Sequence, residues 1–200
     1  MAESQTNRVL QVARKVGVLR PRDLAPYGIP RQYLVLAMNE RKVKRVGRGL
    51  YVASDAKITG AHSLAQASKR IPRGVVCLLS ALRFHDLTTQ APFEVWMAIS
   101  TKARMPKMDY PKLRVVRFSG KMLTYGVASH VVEGVPVGVF TPAKSVTDCF
   151  RYRNKIGSDV ALEALRECYR RRKATLDQIW EAAKVCHVAN VMKPYIESLT

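Results

Sequence analysis

The residues predict an α+β chain in two domains, and three observations carry that expectation. Between Arg20 and Val52 a proline-opened helix, a glycine turn, a second helix and a basic hairpin follow one another without a gap. β-Branched and aromatic residues cluster in short runs between Pro92 and Phe140, and the apolar spacing after Pro142 is helical. Between the two parts, Ala53-Ser54-Asp55-Ala56-Lys57 has neither periodicity nor bulk, which places a boundary there.

The first helix is expected over Gln5–Val16, where Val9, Leu10, Val12, Ala13 and Val16 fall at helical spacing between Ser4 as a cap and Gly17 as a stop. Val18-Leu19 adds a short strand that pairs with the hairpin. Pro21 opens a short helix that reaches Tyr27, Gly28 ends it in the left-handed conformation glycine tolerates, and Pro30 stands where a missing N–H costs nothing. A second helix from Arg31 to Arg41 turns Leu34, Ala37 and Met38 inward at i, i+3, i+4 spacing, with the aliphatic stem of Arg41 along the same stripe. Its opposite face shows Arg31, Gln32, Val35 and Asn39. Val43-Lys44-Arg45-Val46 and Leu50-Tyr51-Val52 then form a hairpin through Gly47-Arg48-Gly49, with glycines where a tight turn needs positive φ. Helix, strand, helix, helix, hairpin is the order of a winged helix-turn-helix, so residues 1–55 are assigned to DNA binding.

Residues 56–200 are expected to form a mixed α+β domain with a small sheet and closing helices. A helix from Thr59 to Lys69 ends before Ile71-Pro72 because proline biases its predecessor away from helix. The apolar run from Gly74 to His85 is read as mainly a buried helix. Pro92 to Ser100 and Leu113 to Phe118 are strand-like, with a basic, proline-interrupted loop between them. Val127 to Val132 and Val135 to Phe140 flank Glu133-Gly134 as a second hairpin. Pro142 starts a helix carrying Val146, Cys149 and Phe150. Of the last three helices, Ser158 caps the first and a Thr175–Gln178 capping box opens the second, while Pro194 should kink or shorten the third.

Lys and Arg number 34 against 15 Asp and Glu, and the net charge of +19 attracts polyanions, nucleic acid first among them. No apolar run is long enough to span a bilayer, and no signal peptide or lipidation motif is present, so a soluble, cytoplasmic protein is expected. Cys77, Cys149, Cys168 and Cys186 lack zinc spacing and are assigned to the core as thiols. His62, His85, His130 and His187 are scattered, and neither a G-x-S-x-G turn nor a phosphate-binding loop occurs. Asp23 with Glu40-Arg41-Lys42 has the acid, acid, lysine order of metal-dependent nucleases, but both acids lie in the helix-turn-helix and not on a sheet edge. No enzyme, cofactor or metal is expected. Lys144 and Asp148 form an i, i+4 pair of the kind that supports a helix surface.

The candidate binding residues divide by chemistry. Arg31, Gln32 and Asn39 carry side chains that pair with base edges, Arg with guanine and Gln or Asn with adenine, and Val35 shares their face. Lys44, Arg45 and Arg48 on the wing need only their charge to meet phosphates. Lys102, Arg104, Lys107, Lys112, Arg114, Arg117 and Lys121 form an additional basic set that extends a nucleic-acid surface, docks an acidic partner or is simply solvated. The run Arg170-Arg171-Arg172-Lys173 suits a helix C-terminus, where the macrodipole favours cations.

Several stretches together resemble the AbiEi antitoxins of bacterial type IV toxin-antitoxin systems, which act in abortive infection. They are Arg45 to Val52 after the helix opened by Gly28-Ile29-Pro30-Arg31, Leu79-Ser80-Ala81-Leu82 with His85-Asp86-Leu87, Gly134-Val135-Pro136-Val137, and Pro142 to Asp148. The resemblance spans nearly the whole chain. It implies an N-terminal winged helix that binds inverted repeats in the promoter of its own operon and represses it, and a C-terminal α+β domain that contributes to antitoxin activity and cooperative DNA binding. The implied functional partner is a nucleotidyltransferase-like toxin, countered without a stable complex being required. A stand-alone winged-helix regulator without a toxin is the alternative.

Overall fold

A computed structural model describes residues 4–199. The chain divides into two compact units. The first holds the described chain through Pro72, together with Lys107–Pro111 and Val131–Val137. The second holds Arg73–Pro106, Lys112–His130 and the described chain from Gly138 onward.

In the first unit α1 (Gln5–Val16) is followed by a 3₁₀ helix (Pro21–Tyr27), α2 (Gln32–Asn39), the strands β1 (Val43–Gly47) and β2 (Leu50–Ala53), and α3 (His62–Arg70). Val9, Val12 and Ala13 from α1 meet Leu24, Ile29, Leu34 and Ala37 in one core, closed by Leu19, Val43 and Ala53. The wing is antiparallel, in register Val43↔Ala53 and Arg45↔Tyr51, with a bulge between Arg45 and Gly47. Leu19 completes it as the expected third strand, exchanging backbone hydrogen bonds of 2.7 and 2.9 Å with Tyr51. Two details differ from expectation. Ser4 holds the cap position of α1 but its hydroxyl pairs with Thr6, 2.8 Å away, and α2 stops at Asn39, leaving Arg41 exposed at φ 56°.

Two further ties belong to this unit. Asp23 accepts from Lys69 Nζ at 2.8 Å and from the Arg20 backbone N–H at 2.9 Å, while Arg20 donates to the Lys69 carbonyl, so the 3₁₀ helix is fastened to the end of α3. Gly17, at φ 67°, ends α1 against the turn at Glu133: a Cβ here would stand 1.5 Å from the Glu133 carbonyl oxygen, a space only glycine leaves open. The Glu133 carboxylate accepts from the Thr59 N–H and hydroxyl, at 2.7 and 2.8 Å, and pairs with His62.

A five-stranded sheet is built in the order β5-β4-β3-β7-β6, from β3 (Val75–Val76), β4 (Val95–Ser100), β5 (Leu113–Phe118), β6 (Val127–Val132) and β7 (Val135–Phe140). β4 runs parallel to β5 and antiparallel to β3, which is parallel to β7. Residues 74–85 therefore depart from the single buried helix expected there: Val75-Val76 is the middle strand and only Leu78–Phe84 is helical, as α4. A short apolar run buried on every side has no period that separates strand from helix. Val135, Val137 and Val139 are buried and Pro136 is exposed, as the alternation requires.

In the second unit the helices α5 (Lys121–Thr124), α6 (Pro142–Arg151), α7 (Arg153–Ile156), α8 (Ser158–Arg170), α9 (Leu176–Val185) and α10 (Ala189–Glu197) follow in order. α6 is central: every residue from Ala143 to Phe150 is buried, and the helix packs on α4, α8 and α9. Lys144 and Asp148 are therefore no surface pair. Both side chains are fully buried, 2.5 Å apart, with the ammonium 4.3 Å from the Phe140 ring centroid and Asp148 also accepting from the Cys186 thiol. Gly157 and not Ser158 holds the cap of α8, with no side-chain cap bond, whereas Thr175 and Gln178 exchange both bonds of the capping box. α10 continues through Pro194 to Glu197. All four cysteines are buried free thiols, and burial raises Cys168 to about 11 and Cys186 to about 12, so neither is a thiolate at neutral pH. No helix among the described residues is long and apolar enough to cross a membrane.

Candidate nucleic-acid interface

α2 is aimed by its two ends. Gly28, at φ 65°, donates to the Ala25 carbonyl and the Ile29 N–H returns to Leu24, which closes the turn. Leu34 and Ala37 then anchor the helix in the core. Fixing that face leaves Arg31, Gln32, Val35 and Asn39 exposed together, as their spacing demands. Leu36 joins them at 45 % exposure, beside Val35 at 58 %. The sequence signal for Leu36 was its position directly after Val35, but an apolar residue is ordinarily counted toward a core.

On the wing, Lys44 and Arg45 are exposed on β1 and Arg48 stands in the two-residue turn with Gly49. Arg45 curls back, its Nε donating to the Gly47 carbonyl at 3.2 Å. The side chains of Arg31, Gln32, Asn39, Lys44 and Arg48 make no hydrogen bond or ion pair among the described residues. Uncommitted donors on a helix face and an adjoining hairpin are available to a ligand without breaking anything first. The nearby acids, by contrast, are occupied. Glu40 accepts from Lys42 at 2.7 Å and from the Thr6 hydroxyl at 2.8 Å, and the Lys42 bond leads the causes that lower its pKa. Asp23 is pushed up by burial, but its bonds to Lys69 and Arg20 outweigh this and its pKa is lowered. Each acid of the nuclease-like order thus has its own cationic partner, and no group of three or more His, Cys, Asp or Glu able to hold a metal occurs among the described residues.

The additional basic set does not stay together. Lys107 belongs to the first unit, where it lines a depression with Arg48, Leu50, Arg70, Met108, Asp109 and Tyr110. Lys102, Arg104, Lys112, Arg114, Arg117 and Lys121 belong to the second unit, all exposed. Two of these already have structural work. Arg114 stacks 4.9 Å from the Trp96 ring centroid and reaches Glu94 at 3.5 Å. Arg117 donates to the carbonyls of Ser100, Thr101 and Ala103 at 3.2, 2.8 and 2.9 Å, fastening the loop that leaves β4.

The helix pair, the third strand at Leu19 and the wing are all present, in one order, between α1 and β2. Residues 7–54 match the AbiEi_4 family, described as transcriptional regulator, AbiEi antitoxin. The matched segment thus ends with the wing and contains every α2-face and wing residue named above, while Arg70 and Lys107 lie outside it. Among curated proteins, none matches the chain.

Proposed function

We propose that this AbiEi-type regulator is a cytoplasmic DNA-binding antitoxin that represses its own operon by binding promoter repeats through residues 1–55, and that residues 56–200 serve antitoxin activity against a nucleotidyltransferase-like toxin. One observation carries the DNA reading: an exposed, hydrogen-bond-free stripe of Arg31, Gln32, Val35 and Asn39 beside a wing whose Lys44 and Arg48 are equally uncommitted. With its side chains a helix such as α2 is about 10–12 Å across, which the major groove, about 12 Å wide, admits. Arg, Gln and Asn supply paired donors and acceptors for base edges, and Val35 suits a thymine methyl. Lys44, Arg45 and Arg48 supply charge for the backbone.

The two sets should fail differently in binding assays on the duplex upstream of the gene and on a random duplex. Arg48→Ala should weaken both by similar factors, whereas Gln32→Ala and Asn39→Ala should spare the random duplex and cost about 1–3 kcal/mol on the promoter. Equal losses on both duplexes for every variant would refute the division of roles. A stand-alone regulator shares all of this geometry, and the matched segment covers the DNA-binding part alone. Rescue of growth when the protein is expressed with a nucleotidyltransferase encoded beside it separates the two.

A further inference from the structure

A second depression in the first unit is lined by Arg20, Pro21, Arg22, Arg31, Gly49 and Arg70. Its volume is about 310 Å³, roughly ten waters' worth. Four of the six lining residues carry guanidinium groups and none is acidic. The side chains of Arg22, Arg31 and Arg70, all exposed residues, make no hydrogen bond or ion pair among the described residues, and the adjoining Asp23 is held by Lys69 and Arg20. Arg20 feels the crowding: burial lowers its pKa, the charges of Arg22 and Arg70 add to the fall, and Asp23 opposes it. Its Nε is buried without a partner.

Resting on the DNA-binding reading, we propose that Arg22 and Arg70, beside the base-reading Arg31, seat one backbone phosphate of the bound duplex, which brings α3 into the interface although it lies outside the matched segment. The seat is shared by elements that already face DNA in that reading. Arg31 belongs both to the exposed stripe of α2 and to the depression, and Gly49 brings the wing turn to its wall with no atom within 4 Å of where a Cβ would stand. A strand running from the stripe toward the wing passes over it. Arg70 also lines the depression that holds Arg48 and Lys107, so one basic track continues from Arg22 to Lys107. Guanidinium forks match phosphate oxygens two bonds at a time, and an anion among them relieves the repulsion that the empty cluster carries.

The test uses the full chain, the promoter duplex and a random duplex, with log K measured against log salt. Replacing both Arg22 and Arg70 by Gln should reduce the slope by about 0.9, the value for one phosphate on duplex DNA, and Arg70→Gln alone should give part of that fall and weaken both duplexes by the same factor. Arg22→Gln should behave alike, and Arg70→Lys should keep the slope while losing affinity. Arg166→Gln, on an exposed residue of α8, should leave slope and affinity unchanged. Inorganic phosphate titrated against the protein alone tests the other source of the same chemistry: saturable binding lost in Arg70→Gln, with the DNA slope unchanged, overturns the backbone assignment in favour of a free anion. DNA binding whose slope ignores both Arg70→Gln and Arg22→Gln overturns the seat and leaves the functional reading intact. Failure of the unaltered chain to bind either duplex overturns the functional reading and the seat with it.

Discussion

At the scale of the residue, the fully buried Lys144–Asp148 pair has consequences that a surface pair of the same spacing lacks. Burial raises the Asp148 pKa and Lys144 pulls it back, so each charge is tolerated because of the other. Removing one partner strands the other in an apolar core, whereas removing both strands neither. Lys144→Met should therefore cost about 3–5 kcal/mol of unfolding free energy. Lys144→Met with Asp148→Leu should recover most of that loss. Denaturant melts decide this, and a double variant no better than the single one would show that the pair is held by geometry the apolar residues cannot fill. Arg117 teaches the same lesson in milder form: its charge is exposed, yet three carbonyls occupy its Nη1.

Among the elements, the fastening of the 3₁₀ helix to α3 is electrostatic and so depends on pH. The folded-state pKa of Asp23 lies below its unfolded value, because Lys69 and Arg20 together outweigh the opposing effect of burial. A depressed carboxylate contributes stability that is fully present above the unfolded value, near 3.9, and is lost as pH falls through the folded value. Asp23→Asn should accordingly lower the melting temperature at neutral pH, with the gap to the unaltered chain closing as pH drops below about 4. A gap that is the same at neutral and strongly acid pH would mean that the carboxylate charge contributes nothing. α3 positions Arg70 as well as Lys69, so this tie also bears on where that guanidinium stands.

For the whole molecule the question is where the proposed DNA-binding part ends. The wing is complete at Ala53, but the compact unit around it continues through α3 and gathers Lys107–Pro111 and Val131–Val137. A fragment of residues 1–72 keeps the Lys69 bonds to Asp23 and from Arg20, and a fragment of residues 1–55 loses them. We expect both to be helical by circular dichroism and the longer to melt at the higher temperature. Coincident melts would show that residues 1–55 suffice as a domain. Random-coil spectra for both would make the two inserted segments part of the folding unit, the second of which places Glu133 against Gly17.

The sequence by itself determined whatever rests on short-range rules. Gly28 and Gly49 at positive φ, the Thr175–Gln178 capping box, the alternating valines of β7 and the inward stripe of α2 each follow from a few neighbouring residues and a period of 3.6 or 2. Because the stripe of α2 fixes its opposite face, Arg31, Gln32, Val35 and Asn39 were legible as an exposed set. Tertiary structure alone decided what depends on residues far apart in the chain. Val75-Val76 is a strand because β4 and β7 flank it, and Lys144 is buried because the aromatic rings of Phe118 and Phe140 cover it. Arg70 and Lys107 stand beside Arg48 because α3 and a distant loop fold onto the unit that carries the wing. Spacing along a chain records which face of an element a residue occupies, but not which other element will meet that face.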